Sequence, residues 1–222
     1  MAKIREIFES IQGEGPYVGE KQLFIRFCGC NLNCNYCDTD FDVEKSQDYT
    51  PTELFEEITK LDDVFTVSLT GGEPLVSAAF LAEFLPLLKG AGHSVYLETN
   101  GTLPDKLEQV IDYVDVIAAD IKLESSTGIK ANVTEYKKFF AIGAKKEIFA
   151  KIVFNENITD EEIMTSVDVA KIADCPVILQ PEMSGNSFAV SSEKRDAVFE
   201  KFHKLYRNVR LIPQVHKFMN VR

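Results

Sequence analysis

The 222-residue sequence is poor in positive charge, in cysteine and in histidine, and it contains no long apolar run. No uninterrupted apolar stretch approaches the roughly 20 residues of a membrane span, so a soluble protein is expected. Met-Ala-Lys-Ile-Arg leads straight into a strand-like segment with no secretory or transit signature, and the chain reads as cytoplasmic. Lysine plus arginine number 24 against 35 acids, a formal net charge of −11. That balance argues against nucleic acid as a partner, because a broad electrostatic grip on it needs a basic face. A locally basic pocket for a small anionic ligand is still allowed. Internal repeats, low-complexity segments and convincing linkers are also missing. With 45% hydrophobic residues the chain can build one substantial core, and residues 1–222 read as a single domain.

What is present is an alternation of short β-branched or aromatic runs with longer helical patterns. Strands are expected at 22–27, 65–70, 94–99, 114–120, 147–154 and 176–180, with 209–215 as a candidate seventh. Helices are expected near 51–60, 77–90, 104–112, 132–142, 160–173 and 192–207. Thr50-Pro51-Thr52-Glu53 and Thr159-Asp160-Glu161-Glu162 both match a capping box, the first with proline at the first helical position. Strands that alternate with helices imply parallel βαβ units. About six such units fall short of the eight in a closed barrel of roughly 250 residues. The expected fold is therefore α/β, a partial, open (β/α)6 barrel with parallel strands.

The unusual polar residues cluster at the carboxyl ends of those strands, the face that carries the active site in such folds. A cysteine-rich loop over residues 28–39 follows the first strand, and Thr70-Gly71-Gly72-Glu73 follows the second. Glu98-Thr99-Asn100-Gly101 closes the third, Asp120-Ile121-Lys122 the fourth and Gln180-Pro181-Glu182 the sixth. Turns also use Gly, Asn and Pro, so any one of these motifs has a bland reading. Five on one rim point to a site.

Four of the five cysteines lie within ten residues, in "RFCGCNLNCNYCDTDF". An odd, clustered set with neighbours as close as Cys28 and Cys30 does not read as a disulfide framework. Zinc loops usually pair two knuckles or add a histidine pair, and His93, His203 and His216 lie far away without paired spacing. Cys30-x3-Cys34-x2-Cys37 suits a [4Fe–4S] cluster with three protein ligands and one open iron. A structural zinc loop is the competing reading. Cys28 and Cys175 read as small buried residues, although strand periodicity puts Cys28 on the same face as Phe24 and Arg26, toward the pocket.

The cysteine spacing, with an aromatic before the last cysteine, resembles the radical S-adenosylmethionine superfamily, and "TGGE" resembles its Gly-Gly-Glu motif. The stretch "SIQGEGPYVGEKQLFIRFCGCNLNCNYCDTDF" and the ending "QVHKFMNVR" resemble the 7-carboxy-7-deazaguanine synthases of that superfamily. The resemblance implies a homodimeric enzyme with three cofactors, a [4Fe–4S] cluster, S-adenosylmethionine and Mg2+. It would convert 6-carboxy-5,6,7,8-tetrahydropterin to 7-carboxy-7-deazaguanine by radical ring contraction with loss of ammonia, in 7-deazapurine (queuosine-type) biosynthesis. A reducing protein such as flavodoxin or ferredoxin is the implied electron donor.

Site residues follow from the same resemblance. Substrate is implied at Ile11, Gln12, Gly13 and Glu14, at Arg26 facing the substrate carboxylate, at Thr70 and at the terminal carboxylate of Arg222. Thr39 is the implied Mg2+ ligand, and Cys30, Cys34 and Cys37 hold the cluster. S-adenosylmethionine is implied at Tyr36, Cys37 and Asp38, then at Gly72, Glu73, Glu98 and Asn100. Its contacts continue at Asp120, Ile121 and Lys122, and at Gln180, Pro181, Glu182 and Met183. One departure is Asp-Ile-Lys at 120–122 where the family pattern has Ser-Pro-Lys. Glu14 has a plainer reading as a solvated loop acid, and His216 and Lys217 read as ordinary surface residues. The helix carrying Phe199 and Phe202 reads as core.

Other functions share parts of this pattern. A glycyl-radical-enzyme activase shares the cysteine spacing but not the "QGEG" loop. An iron–sulfur electron carrier normally fills all four iron positions with protein ligands and needs no "TGGE" rim.

Overall fold

The computed structural model describes residues 1–35, 37, 45–61 and 64–221. The elements run β1 (Ala2–Ile11), β2 (Lys21–Phe27), β3 (Gln47–Tyr49), α1 (Pro51–Ile58), β4 (Thr66–Gly71), α2 (Ala78–Gly90) and β5 (Ser94–Thr99). They continue with α3 (Pro104–Glu108), β6 (Val116–Asp120), α4 (Glu124–Thr127), α5 (Val133–Gly143), β7 (Glu147–Phe154), α6 (Asp160–Ala173) and β8 (Val177–Pro181). Last come a small hairpin, β9 (Met183–Ser184) and β10 (Ser187–Phe188), then α7 (Ser192–Leu205), β11 (Val209–Leu211) and α8 (Val215–Met219).

Among the described residues the main sheet has the order β11-β8-β7-β6-β5-β4-β2-β1-β3. From β2 to β11 every pairing is parallel, as the alternation of strands and helices requires. β1 pairs antiparallel with β2 and with β3. Because β3 and β11 end the order without meeting, the barrel is open, and the expected α/β partial barrel holds. Both expected capping boxes form. Thr50 N–H donates to Glu53 (2.8 Å) and Glu53 N–H to the Thr50 hydroxyl (3.3 Å). The same exchange links Thr159 and Glu162 at 2.9 and 3.2 Å.

Three boundaries differ from the sequence-based expectation. The helix expected to Asp112 stops at Glu108 and resumes as a short 3-10 turn at Ile111–Tyr113. The strand expected from Val114 begins at Val116, because Val114 N–H closes that turn on Ile111. The last strand is only Val209–Leu211, since Pro213 cannot donate to a ladder and Val215 starts α8.

The period of two along each strand separates two layers. Leu23, Ile25, Val67, Leu69, Val95, Leu97, Ile117, Ile148, Ile152, Val177 and Leu179 face outward into one apolar core with the helices, including Phe84, Phe139, Phe140 and Phe202. Phe199 is partly buried against it, so the α7 aromatics are core as expected. The opposite parity faces the barrel interior. Tyr96, Val116, Ala118, Phe149 and Ile178 fill it as a plug, sealed at one side by Tyr17 packed edge-on to Tyr96 at 5.4 Å.

Candidate active site

Two residues beyond the plug, toward the carboxyl ends, the inward parity turns polar. Tyr96 is followed by Glu98, Ala118 by Asp120, Phe149 by Lys151 and Ile178 by Gln180, while Thr70 and Arg26 hold the same phase on β4 and β2. The parallel register sets Arg26 beside Thr70 and Asp120 beside Lys151. These side chains form the floor of a cleft of about 760 Å³, and the rim loops supply its walls. Apolar below and polar above, the interior can hold a polar ligand at one depth only.

The cysteine loop forms one wall. Cys30, Cys34 and Cys37 all line the cleft, and each pair among them is close enough to interact electrostatically. Burial raises the Cys30 and Cys34 thiols, and Lys122 works in the opposite direction at Cys34. Leu32 N–H points at the Cys30 sulfur (3.4 Å), as does the Asn100 side-chain amide (3.8 Å). Cys28 does not line the cleft, against the strand-period expectation. The strand ends at Phe27, Cys28 N–H returns to the Lys3 carbonyl (2.9 Å), and Gly29 turns the chain at φ +83°. Cys175 is buried in the core as expected, its thiol pushed up to about 12 by burial.

Thr70-Gly71-Gly72-Glu73 supports this wall. Gly72 N–H donates to the Phe27 carbonyl (3.0 Å) and Glu73 N–H to the Gly29 carbonyl (2.8 Å). A Cβ on Gly72 would lie 1.9 Å from the Gly29 oxygen, so only glycine lets the two loops meet. The Glu73 side chain turns inward rather than into the cleft. Its oxygens accept from Leu75 N–H (3.1 Å), the Thr99 hydroxyl (2.8 Å) and Asn100 N–H (2.7 Å), tying the end of β4 to that of β5. Burial pushes this carboxyl up to about 7 against those hydrogen bonds.

The opposite wall is the loop after β1. Gln12 is buried, and its amide donates to Glu98 (3.0 Å) and Gln22 (3.2 Å), while its oxygen accepts from Glu14 N–H (3.0 Å). Thr70 donates to the other Glu98 oxygen (2.6 Å). Glu14 is no solvated loop acid. Its carboxylate is ion-paired with Lys151 and accepts from Gln180 (2.9 Å) and Gln214 (3.0 Å). Burial opposes its charge, but Lys151 and these donors outweigh that and hold it far below the usual carboxylate range. Arg26 donates through Nε to Glu6 (2.7 Å) and lies over the Phe8 ring, itself stacked on Phe24.

Ile11, Gln12, Gly13, Glu14, Arg26, Thr70, Gly72, Glu98, Asn100, Asp120, Lys122, Gln180, Glu182 and Met183 therefore converge on the cleft. Glu73, Ile121 and Pro181 do not line it; Ile121 is buried in the outer core and its N–H joins the Lys151 carbonyl (2.8 Å). Tyr36, Asp38, Thr39 and Arg222 lie outside the described residues. His216 and Lys217 are not plain surface residues, since both line the cleft. Gly13 meets His216 so closely that a Cβ there would sit 2.4 Å from the His216 Cβ. Sequence reasoning missed Lys151, and the signal was a lone cation at an inward position of "EIFAKIVF". Gln214 was missed without any such signal.

A parallel partial barrel with three cysteines on its carboxyl-end rim defines the class, and the family model described as Radical SAM superfamily matches residues 24–168. The chain is 34% identical to 7-carboxy-7-deazaguanine synthase of Geobacter sulfurreducens, over 98% of this chain and 97% of that one. It is 33% identical to the enzyme of the same name from Archaeoglobus fulgidus, over 100% and 99%. Among solved structures, QueE from Escherichia coli shares the fold at TM-score 0.66 and 20% identity, covering 97% of this chain and 94% of that one. The chain belongs to the 7-carboxy-7-deazaguanine synthase family of the radical SAM superfamily.

That family implies a [4Fe–4S] cluster and S-adenosylmethionine. The donor set fits the cluster. Among the described residues no three His, Cys, Asp or Glu side chains sit close enough to hold one metal ion, whereas a cluster takes each thiolate on a different iron. Among the same residues no helix is long and apolar enough to cross a membrane.

Proposed function

We propose that this chain converts 6-carboxy-5,6,7,8-tetrahydropterin to 7-carboxy-7-deazaguanine by radical ring contraction with loss of ammonia. The observation that carries the reading is convergence: the Gln12 loop before β2, Arg26 on β2 and the three cysteines in the loop after it all face one cleft. Cluster and S-adenosylmethionine, when bound, supply the radical chemistry, which leaves positioning as the protein's own task.

Cys30, Cys34 and Cys37 are the proposed cluster ligands. Gly72, Asn100, Asp120, Lys122, Gln180, Glu182 and Met183 form the rim proposed for S-adenosylmethionine. Glu73 and Ile121 support that rim from behind through the bonds described above. Arg26 is proposed to take the substrate carboxylate with its terminal nitrogens, while Glu6 holds Nε and Phe8 the guanidinium face. Gln12, anchored by Glu98 and Gln22, presents its loop to the pterin ring. Thr39 as a Mg2+ ligand, Arg222 at the substrate, a homodimer and a flavodoxin-like or ferredoxin-like reductant complete the proposal, and all four rest on family resemblance. Residues 1–222 are taken as one domain, supported by a single sheet that runs from Ala2 to Leu211.

The test is anaerobic reconstitution with iron and sulfide, then incubation with S-adenosylmethionine, dithionite, Mg2+ and 6-carboxytetrahydropterin. Formation of 7-carboxy-7-deazaguanine is the expected result. Cofactor cleavage without consumption of any pterin would refute the substrate assignment.

A further inference from the structure

Lys151 is the part of the cleft that neither the cysteine motif nor the implied substrate and cofactor contacts account for. It lies in mid-strand on β7, its side chain 12% exposed, where hydrogen-bonded strands flank it on both sides. Below it is the aromatic plug, with Phe149 two residues earlier on the same face. A lysine so placed is costly unless it is paired. It is paired twice, with Glu14 from the loop after β1 and with Asp120 from the neighbouring strand at 3.5 Å. Burial works against its charge, yet Asp120, Glu14 and Glu98 hold it protonated.

Glu14 is in turn the knot of the substrate wall. It ties the 11–15 loop to Gln180 on β8 and to Gln214 ahead of α8, and its own N–H closes on Gln12. Four separate pieces of chain are thus held by one carboxylate, and Lys151 is its charge partner. We propose that Lys151 is a positioning residue for substrate: through Glu14 it fixes the 11–15 loop in the shape that receives the pterin. This inference rests on the pterin reading above. It assigns Lys151 its role through its ion pairs with Glu14 and, at 3.5 Å, Asp120, not through contact with substrate.

A double-mutant cycle on the reconstituted enzyme with S-adenosylmethionine tests it, with 6-carboxypterin as a fluorescent binding probe that needs no turnover. Lys151→Met and Glu14→Gln should each weaken binding about tenfold. The double variant should also be about tenfold weaker, not about a hundredfold, because residues that act as a unit are not additive. Lys151→Arg, which keeps a buried cation for both acids, should bind within about twofold of wild type. The double variant should be more stable to heat than Lys151→Met, which leaves the Glu14 charge unpaired. If Lys151→Met does not fold, the comparison of Glu14→Gln with the double variant and with Lys151→Arg still decides. Additive losses would overturn the proposal in favour of direct contact. Binding that returns to wild type in the double variant along with stability would reduce Lys151 to a structural ion pair. If wild type binds no pterin at all, the substrate reading falls and this inference with it.

Discussion

Gly72→Ala is the smallest change that tests how the Gly-Gly-Glu turn and the cysteine loop depend on each other. The new methyl would stand 1.9 Å from the Gly29 oxygen, 2.5 Å from its carbonyl carbon and 3.3 Å from Cys30 N. Those atoms are backbone, so no rotamer relieves the contact, and the loops must separate by more than about 1 Å. Separation stretches the bond from Glu73 N–H to Gly29, now 2.8 Å, which contributes about 0.5–1.5 kcal/mol. Strain from the added group costs about 1–3 kcal/mol more. The sum is roughly 3 kcal/mol, and for a chain of this length that lowers Tm by roughly 6–12 °C. Because Gly29 adjoins Cys30, the same shift should lower the cluster content reached on reconstitution. Gly90→Ala is the control: it ends α2, nothing lies within 4 Å of its added Cβ, and alanine should leave Tm unchanged or slightly higher. Thermal unfolding of the apoprotein and iron per chain after reconstitution are the two measurements. A Gly72→Ala protein with wild-type Tm and full iron content would refute the close approach.

Single alanine substitutions at Cys30, Cys34 and Cys37 should each abolish the visible absorbance of the cluster, while Cys28→Ala and Cys175→Ala keep it; loss at Cys28 alone would break the assignment. Arg26→Ala should weaken pterin binding by about 1.5–3 kcal/mol, the value of a charge-assisted bidentate contact, with cofactor cleavage intact. Thr39→Val should shift the Mg2+ dependence of the initial rate to higher concentration, and superimposable curves would exclude the hydroxyl as a ligand. Glu73 gives a pH signature: burial raises its folded-state carboxyl to about 7 from an unfolded 4.5, so the folded state binds the proton more tightly. The stability it contributes is therefore present below about pH 4.5 and lost as pH rises to about 7, roughly 3 kcal/mol across that window. Urea unfolding of the apoprotein should show that slope in wild type and not in Glu73→Gln; parallel curves would contradict it.

Linear motifs were legible because their chemistry lies next to itself in the chain. The cysteine triplet, Thr-Gly-Gly-Glu and the strand-end acids all read from local spacing, and parallel βαβ alternation placed them on one rim. What stayed hidden depended on facts that one segment does not carry. β3 has three residues, and its pairing with β1 exists only because β1 already runs beside β2. The inward phase of Lys151 has meaning only once the lumen side of β7 is known. Glu73 reads as a cleft acid from its motif, but the turn into the 3-10 helix at Pro74–Ser77 aims it at Leu75, Thr99 and Asn100. The net charge hides most. A chain at −11 looks hostile to an anionic substrate, yet the cleft is lined by Glu6, Glu14, Glu98, Asp120 and Glu182 against Arg5, Arg26, Lys122, Lys151 and Lys217. Among the described residues the lining is formally neutral, and charges beyond it are screened within about 10 Å by ordinary salt. Near β6 and β7 the charges Glu14, Asp120, Lys122 and Lys151 pair with one another. Arg26 stands on the β2 side, away from the Lys151 knot. On the proposed reading, the terminal nitrogens of Arg26, whose Nε is held by Glu6, meet the substrate carboxylate at that end and orient the pterin without any excess of basic residues.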